Sequence, residues 1–160
     1  MAETFPHLLE RHAGARPGDP ALREKEYGIW QTRSWQRAHD EVRQLACGLA
    51  ALGFTRGHNL AIVGDNRPHL YLMFLATQAL GGVPVPMYQD AVAAEMTFVL
   101  QDAEVQFVFA EDQEQVDKML ELRESVPGLT HIIYDDPRGL RNYSQPKINR
   151  FESVVAVERK

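Results

Sequence analysis

Apolar and polar positions alternate along the chain with two different periods. Phe5, Leu8, Leu9 and His12 have helical spacing, and Pro17-Gly18-Asp19-Pro20 ends that segment. "ALREKEYGIWQTRSW" then reads as two short strands joined by a hairpin turn at Tyr27-Gly28. Ser34 is a fitting N-cap for a helix running to Leu52, because Ala38, Val42, Leu45, Ala46 and Leu49 share one face. Gly53 takes the C′ position of that helix. Arg37 stands at its third position, where a capping box would place Glu or Gln.

Leu60-Ala61-Ile62-Val63 is apolar throughout, as a strand covered on both faces requires. Asn66 is expected to cap the next helix, with Pro68 in the first turn, where a missing N–H costs little. From Leu70 to Leu80 this helix is apolar nearly all round, so protein should cover more than one of its sides. In "GGVPVPMY", Pro84 and Pro86 remove N–H groups from one side of a strand, while Val83 and Val85 stay able to pair on the other. That strand belongs at a sheet edge or a bulge. Met96, Val99, Leu100 and Ala103 mark a further helix, and Val105 to Ala110 a strand. "EDQEQVDKMLELRESVPG" is a helix with acids first and Lys118 and Arg123 later, as the macrodipole favours. Thr130 to Tyr134 is a strand, turned aside by Asp135-Asp136-Pro137. This alternation predicts an α/β fold: a three-layer α/β/α sandwich on a mostly parallel, doubly wound sheet.

Composition narrows the function more than the fold. The 160 residues suffice for one domain, with 44% hydrophobic and 24% charged residues. The net charge of −5 argues against nucleic acid as a partner. The single cysteine, Cys47, excludes a disulfide framework and reads as a small buried or half-buried helix residue. The opening "MAETFPHLLERHAG" has neither the basic nor the apolar region of a secretory signal, and no apolar run reaches the ~18 residues of a transmembrane helix. The expectation is a cytoplasmic protein.

Candidate chemistry is sparse. The six histidines lack metalloprotease spacing and read as scattered surface imidazoles, so no metal site is expected. Glu111-Asp112 opens a helix and Asp135-Asp136 opens a turn, positions that favour acids for local reasons. The turn after Val63, Gly64-Asp65-Asn66-Arg67-Pro68, has one glycine and a proline where a phosphate loop has several glycines and free N–H groups. No catalytic or cofactor-binding residue is assigned.

The order "GHNLAIVGDNRPHLYLMFLATQALGGVPVPMYQD", "FVLQDAEVQFVFAEDQEQVDKMLEL" and "IIYDDPRGLRNY" resembles the N-terminal part of adenylate-forming enzymes, most closely bacterial long-chain fatty-acyl-CoA synthetases. The matching pieces are Asn66-Arg67-Pro68, Gly81-Gly82-Val83 with Pro86, Glu111-Asp112 with Gln115-Val116, and Asp136-Pro137-Arg138-Gly139-Leu140-Arg141. The resemblance implies a parent of several hundred residues. With ATP and Mg²⁺ it would turn a fatty acid into an acyl-adenylate, then pass the acyl group to coenzyme A. The family's Ser/Thr/Gly-rich phosphate loop, its Tyr-Gly-x-Thr-Glu and its C-terminal lysine have no counterpart in residues 1–160. His69 replaces a common acid and His58 a common Asp, which affects local stability. The chain is therefore expected to be the N-terminal portion of the large domain, inactive alone, self-associating, and open to peripheral membrane contact. Two rivals remain: a stand-alone binding or dimerisation module, and a flavodoxin-like nucleotide or flavin binder, which the poor loop after Val63 disfavours.

Overall fold

A computed structural model describes residues 3–156 of the chain. Helix α1 (Phe5–Ala15) starts at Thr4, whose hydroxyl accepts from the His7 N–H. Strands β1 (Pro20–Glu26) and β2 (Ile29–Ser34) form an antiparallel hairpin. Its turn residues Tyr27 and Gly28 both have positive φ, 47° and 82°, the geometry that matches the twist of a two-residue hairpin. Helix α2 (Trp35–Ala51) is capped by Ser34, whose Oγ accepts from the Arg37 N–H at 3.2 Å.

The remaining elements alternate: β3 (Asn59–Val63), α3 (Pro68–Ala79), β4 (Val83–Met87), α4 (Ala93–Asp102), β5 (Phe107–Ala110), α5 (Gln113–Leu122), β6 (His131–Tyr134), β7 (Ile148–Arg150) and α6 (Phe151–Val155). The five strands β3 to β7 make one parallel sheet in the order β4-β3-β5-β6-β7. The expected three-layer α/β/α sandwich is the fold observed. Strand alternation divides the core in two. Leu60, Ile62, Phe107, Phe109 and Ile133 point to one face, where they share a core with α2, α3 and α6, and α1 packs against α2 and α3. Ala61, Val63, Val108, Ala110 and Ile132 point to the other, under α4 and α5.

β4 lies at the sheet edge, as its prolines require. The Val83 N–H donates inward to the His58 carbonyl, so by alternation Pro84 and Pro86 turn their nitrogens outward. Helix α3 is covered from within the chain by α1 and α2, leaving only Tyr71 and Ala79 of its residues exposed.

Four expectations need correction. Arg67, not Asn66, is the N-cap of α3, and it makes no side-chain capping bond. A residue before proline is driven out of the helical region, and Arg67 is accordingly extended (φ −109°, ψ 160°). Cys47 is exposed, because α2 buries Leu45, Gly48 and Leu49 and position 47 falls between those stripes. β5 starts at Phe107, two residues later than read. Finally, β7 and α6 were not anticipated; three and five residues are too short to show a period.

Candidate functional site

The order of the sheet puts β4 on one side of β3 and β5 on the other, so the chain reverses its winding direction at β3. In open α/β sheets, ligands bind beyond the carboxyl ends of the strands at such a reversal. A cleft of about 810 Å³ lies there, bounded by the turn after β3, Glu111-Asp112 after β5, Asp135 to Arg138 after β6, and the β1–β2 hairpin.

The turn after β3 explains its single glycine. A Cβ on Gly64 would come within 2.6 Å of the Glu111 Cβ, so glycine is needed for close approach by Glu111. The Glu111 carboxylate accepts from the Asp65 N–H and pairs with Arg67 at 2.9 Å. An internal carboxylate thus occupies the position where a phosphate loop would hold its anion. Burial pushes the Glu111 carboxyl above its ordinary range, against the opposing pull of the Asp65 N–H and Arg67.

Most other charges of the cleft are also matched locally. Asp112 caps α5 through the Gln115 N–H at 3.1 Å, and Glu114 pairs with Lys118 at 2.9 Å. Asp136 accepts from the Arg138 N–H (2.9 Å) and Nε (2.7 Å), and the Arg138 hydrogen bond holds its carboxyl below the usual range. Of the two acid pairs read from sequence as local features, Asp112 and Asp136 serve local roles, whereas Glu111 reaches across to Asp65 and Arg67 and Asp135 to His69, and the fold gathers all four in one cleft.

His69 is the residue whose role the sequence concealed. Its Nε2 lies 2.9 Å from Arg33 Nη2, and its Nδ1 lies 2.8 Å from Asp135 Oδ1. A guanidinium only donates, so Nε2 accepts and the ring proton sits on Nδ1, donating to Asp135. The ring stacks on Phe151 at 4.3 Å. Arg33, itself buried, also holds Glu24 at 2.9 Å and Glu41 at 3.0 Å. His69 therefore ties the hairpin, α3, β6 and α6 together, which corrects its reading as a scattered surface imidazole. His58 and His131 likewise lie against the Phe107 ring, at 5.9 and 4.6 Å. Burial, with Lys147 and Arg123 nearby, holds His131 below the ordinary imidazole value. No local periodicity could have signalled these contacts, since each joins residues far apart in the chain.

The cleft does not fit a triphosphate. Nine carboxylates line it against four bases, Lys25, Arg33, Arg67 and Arg138. Three of those bases already hold acids within the cleft. A buried acceptor without a partner, Gln115 Oε1, calls for a donor and not for a phosphate oxygen. Among the described residues, no group of three or more His, Cys, Asp or Glu side chains is arranged to hold a metal ion. No helix among them is long and apolar enough to cross a membrane.

Comparison with known proteins gives a consistent answer. The family model described as AMP-binding enzyme matches residues 9–156. A long-chain-fatty-acid–CoA ligase of Mycobacterium tuberculosis is 32% identical over 106 residues, which are 66% of this chain and 18% of that ligase. The chain spans about a fifth of the length of the curated ligases it matches. An uncharacterized protein of M. tuberculosis is 32% identical over 136 residues, covering 85% of this chain and 72% of that protein. Among solved structures, acetoacetyl-CoA synthetase from Streptomyces lividans superposes with a TM-score of 0.83 at 27% identity, over 95% of this chain and 25% of the synthetase.

Proposed function

Because the chain belongs to the AMP-binding enzyme family, we propose that it is the N-terminal portion of the large domain of a long-chain fatty-acid–CoA ligase. In that reading the parent is a cytoplasmic enzyme acting on a fatty acid, ATP with Mg²⁺, and coenzyme A. The observation that carries it is the match of most of this chain to about a fifth of long-chain ligases. The chain itself contributes scaffold. Three of the four bases in its strand-end cleft are already held by acids there, and acids outnumber bases in it, which disfavours it as a place to stabilise charge developing at a reacting phosphorus.

The 160-residue chain is therefore expected to show no palmitate-dependent exchange of pyrophosphate into ATP. Exchange above background would overturn the scaffold reading. A second reading, a stand-alone non-catalytic module, is favoured by one observation: the uncharacterized mycobacterial relative is comparable in length to this chain. The reading frame after Lys160 separates the two. A continuation containing a Ser/Thr/Gly-rich loop ending in Pro-Lys-Gly favours the ligase, and a stop codon favours the module.

A further inference from the structure

The strand-end cleft, of about 810 Å³, falls within the range of about 300–1,000 Å³ usual for small-molecule sites. Its nine carboxylates stand against four bases, an excess as large as the net charge of the whole chain, −5. Among the described residues, the side chains of Glu26 and Asp90 make no hydrogen bond or ion pair. Asp65 and Asp112 accept only from neutral N–H groups, the Gln89 amide at 2.8 Å and the Gln115 backbone at 3.1 Å. Against these four acids stands one base that holds no acid, Lys25. Burial raises the Glu111 carboxyl, and the charges of Asp65 and Asp112 push it the same way, a sign of negative charge left over in the cleft.

A second feature is independent of that charge. Gln115 lines the cleft from the first turn of α5, is only 5% exposed, and its Oε1 has no hydrogen-bond partner. Buried acceptors are ordinarily paired, so this one awaits a donor from outside the chain. The four acids come from separate segments: the hairpin and the turns after β3, β4 and β5. They do not converge on one point, since no group of three or more such side chains among the described residues is arranged to hold a metal ion.

Negative charge spread over several segments, with a neutral acceptor among it, suits a ligand whose cationic N–H groups are held apart. We propose that the cleft binds a linear aliphatic polyamine, its ammonium groups facing Glu26, Asp65, Asp90 and Asp112 and one N–H donating to Gln115 Oε1. Methylene spacers set successive charges beside carboxylates of different segments, which a point cation cannot do. Each ammonium brings several N–H donors and no acceptor, the complement of a cleft rich in oxygens. The site needs neither ATP nor coenzyme A, so its failure leaves the ligase reading untouched.

Calorimetric titration of the 160-residue chain with spermidine tests it, in about 0.15 M salt, where weak non-specific attraction is screened. Spermidine should bind at one site, and n-butylamine, with a single charge, about tenfold more weakly or worse. Glu26→Gln combined with Asp90→Asn should weaken spermidine about three- to tenfold, the scale of two exposed charge contacts. Gln115→Met, which keeps the volume and removes the acceptor, should weaken it by a similar factor of about three to ten, with the far-ultraviolet circular dichroism unchanged. Asp102→Asn combined with Glu121→Gln makes the same change of charge on exposed positions of α4 and α5 and should leave the affinity as it was. Glu26 and Asp90 are exposed, so their variant keeps the test decisive even if Gln115→Met misfolds. Equal weakening by the distant pair, or equal affinity for n-butylamine, overturns the proposal. So does displacement of spermidine by an equal concentration of Mg²⁺, or binding of a lysine-rich peptide without binding of spermidine.

Discussion

The two faces of the sheet solve the same burial problem at different depth. On one, α2, α3 and α6 share the core with the strands and α1 packs against α2 and α3, so the apolar cylinder of α3 meets the sheet, α2 and α1. On the other, α4 and α5 form one layer, and their outer surface keeps Phe98 69% and Val99 37% exposed. A helix apolar all round is only stable when a second layer covers it, whereas an amphipathic helix needs a single contact. The difference shows how one chain can hold both kinds of helix.

The largest effects should come from cutting into each face with the same substitution. Leu72→Ala in α3 and Leu100→Ala in α4 both remove fully buried side chains, and each should cost about 2–5 kcal/mol. Leu72 lies in a helix packed against the sheet, α2 and α1, has less room to relax and should cost more. A larger loss at Leu100 in urea titrations would break the comparison. A smaller effect is expected where α2 meets α6. A Cβ on Gly48 would lie 2.1 Å from the Val154 carbonyl oxygen, a backbone atom that cannot rotate away. Gly48→Ala should therefore cost about 1–3 kcal/mol by forcing α2 and α6 apart. An unchanged melting temperature would show that the two helices do not depend on that approach.

The smallest effect concerns charge at the strand ends, which both faces share. Glu111 has its folded pKa raised, so its contribution favours the folded state below the ordinary value of 4.5 and is lost as pH rises through the folded pKa. Asp136 has the opposite sign: its contribution is present above 3.8 and is lost as pH falls through its depressed pKa. Glu111→Gln should thus flatten the stability–pH curve just above pH 4.5, while Asp136→Asn should flatten it below 3.8. Identical curves for the two variants would remove the distinction.

Much of this was legible in the sequence because it depends on neighbours along the chain. Leu60 to Val63 announce a strand covered on both faces, Tyr27-Gly28 a hairpin and Ser34 a cap, each through residues within one turn or strand. Pro84 and Pro86 announced an edge for the same reason. What could not be read depends on distant partners. His69 acquires its role from Arg33, Asp135 and Phe151, and Gly64 acquires its necessity from Glu111. The cap of α3 was misplaced by one residue because the constraint that Pro68 imposes on Arg67 outweighs the capping preference of Asn66. The candidate cleft is the least legible: Glu111-Asp112 and Asp135-Asp136 read as two separate pairs, and their convergence is a property of strand order.

The prolines of β4 also govern how copies of the chain can meet. A strand's outer edge ordinarily offers donors and acceptors in turn, and so can template a copy of itself. Here that edge presents the carbonyls of Pro84 and Pro86 with no amide hydrogen at either residue. Two such edges brought together would set oxygen against oxygen. Growth of the five-stranded sheet by edge-to-edge stacking therefore stops at β4, and of that sheet's two described edges the one that offers alternating partners is the three residues of β7.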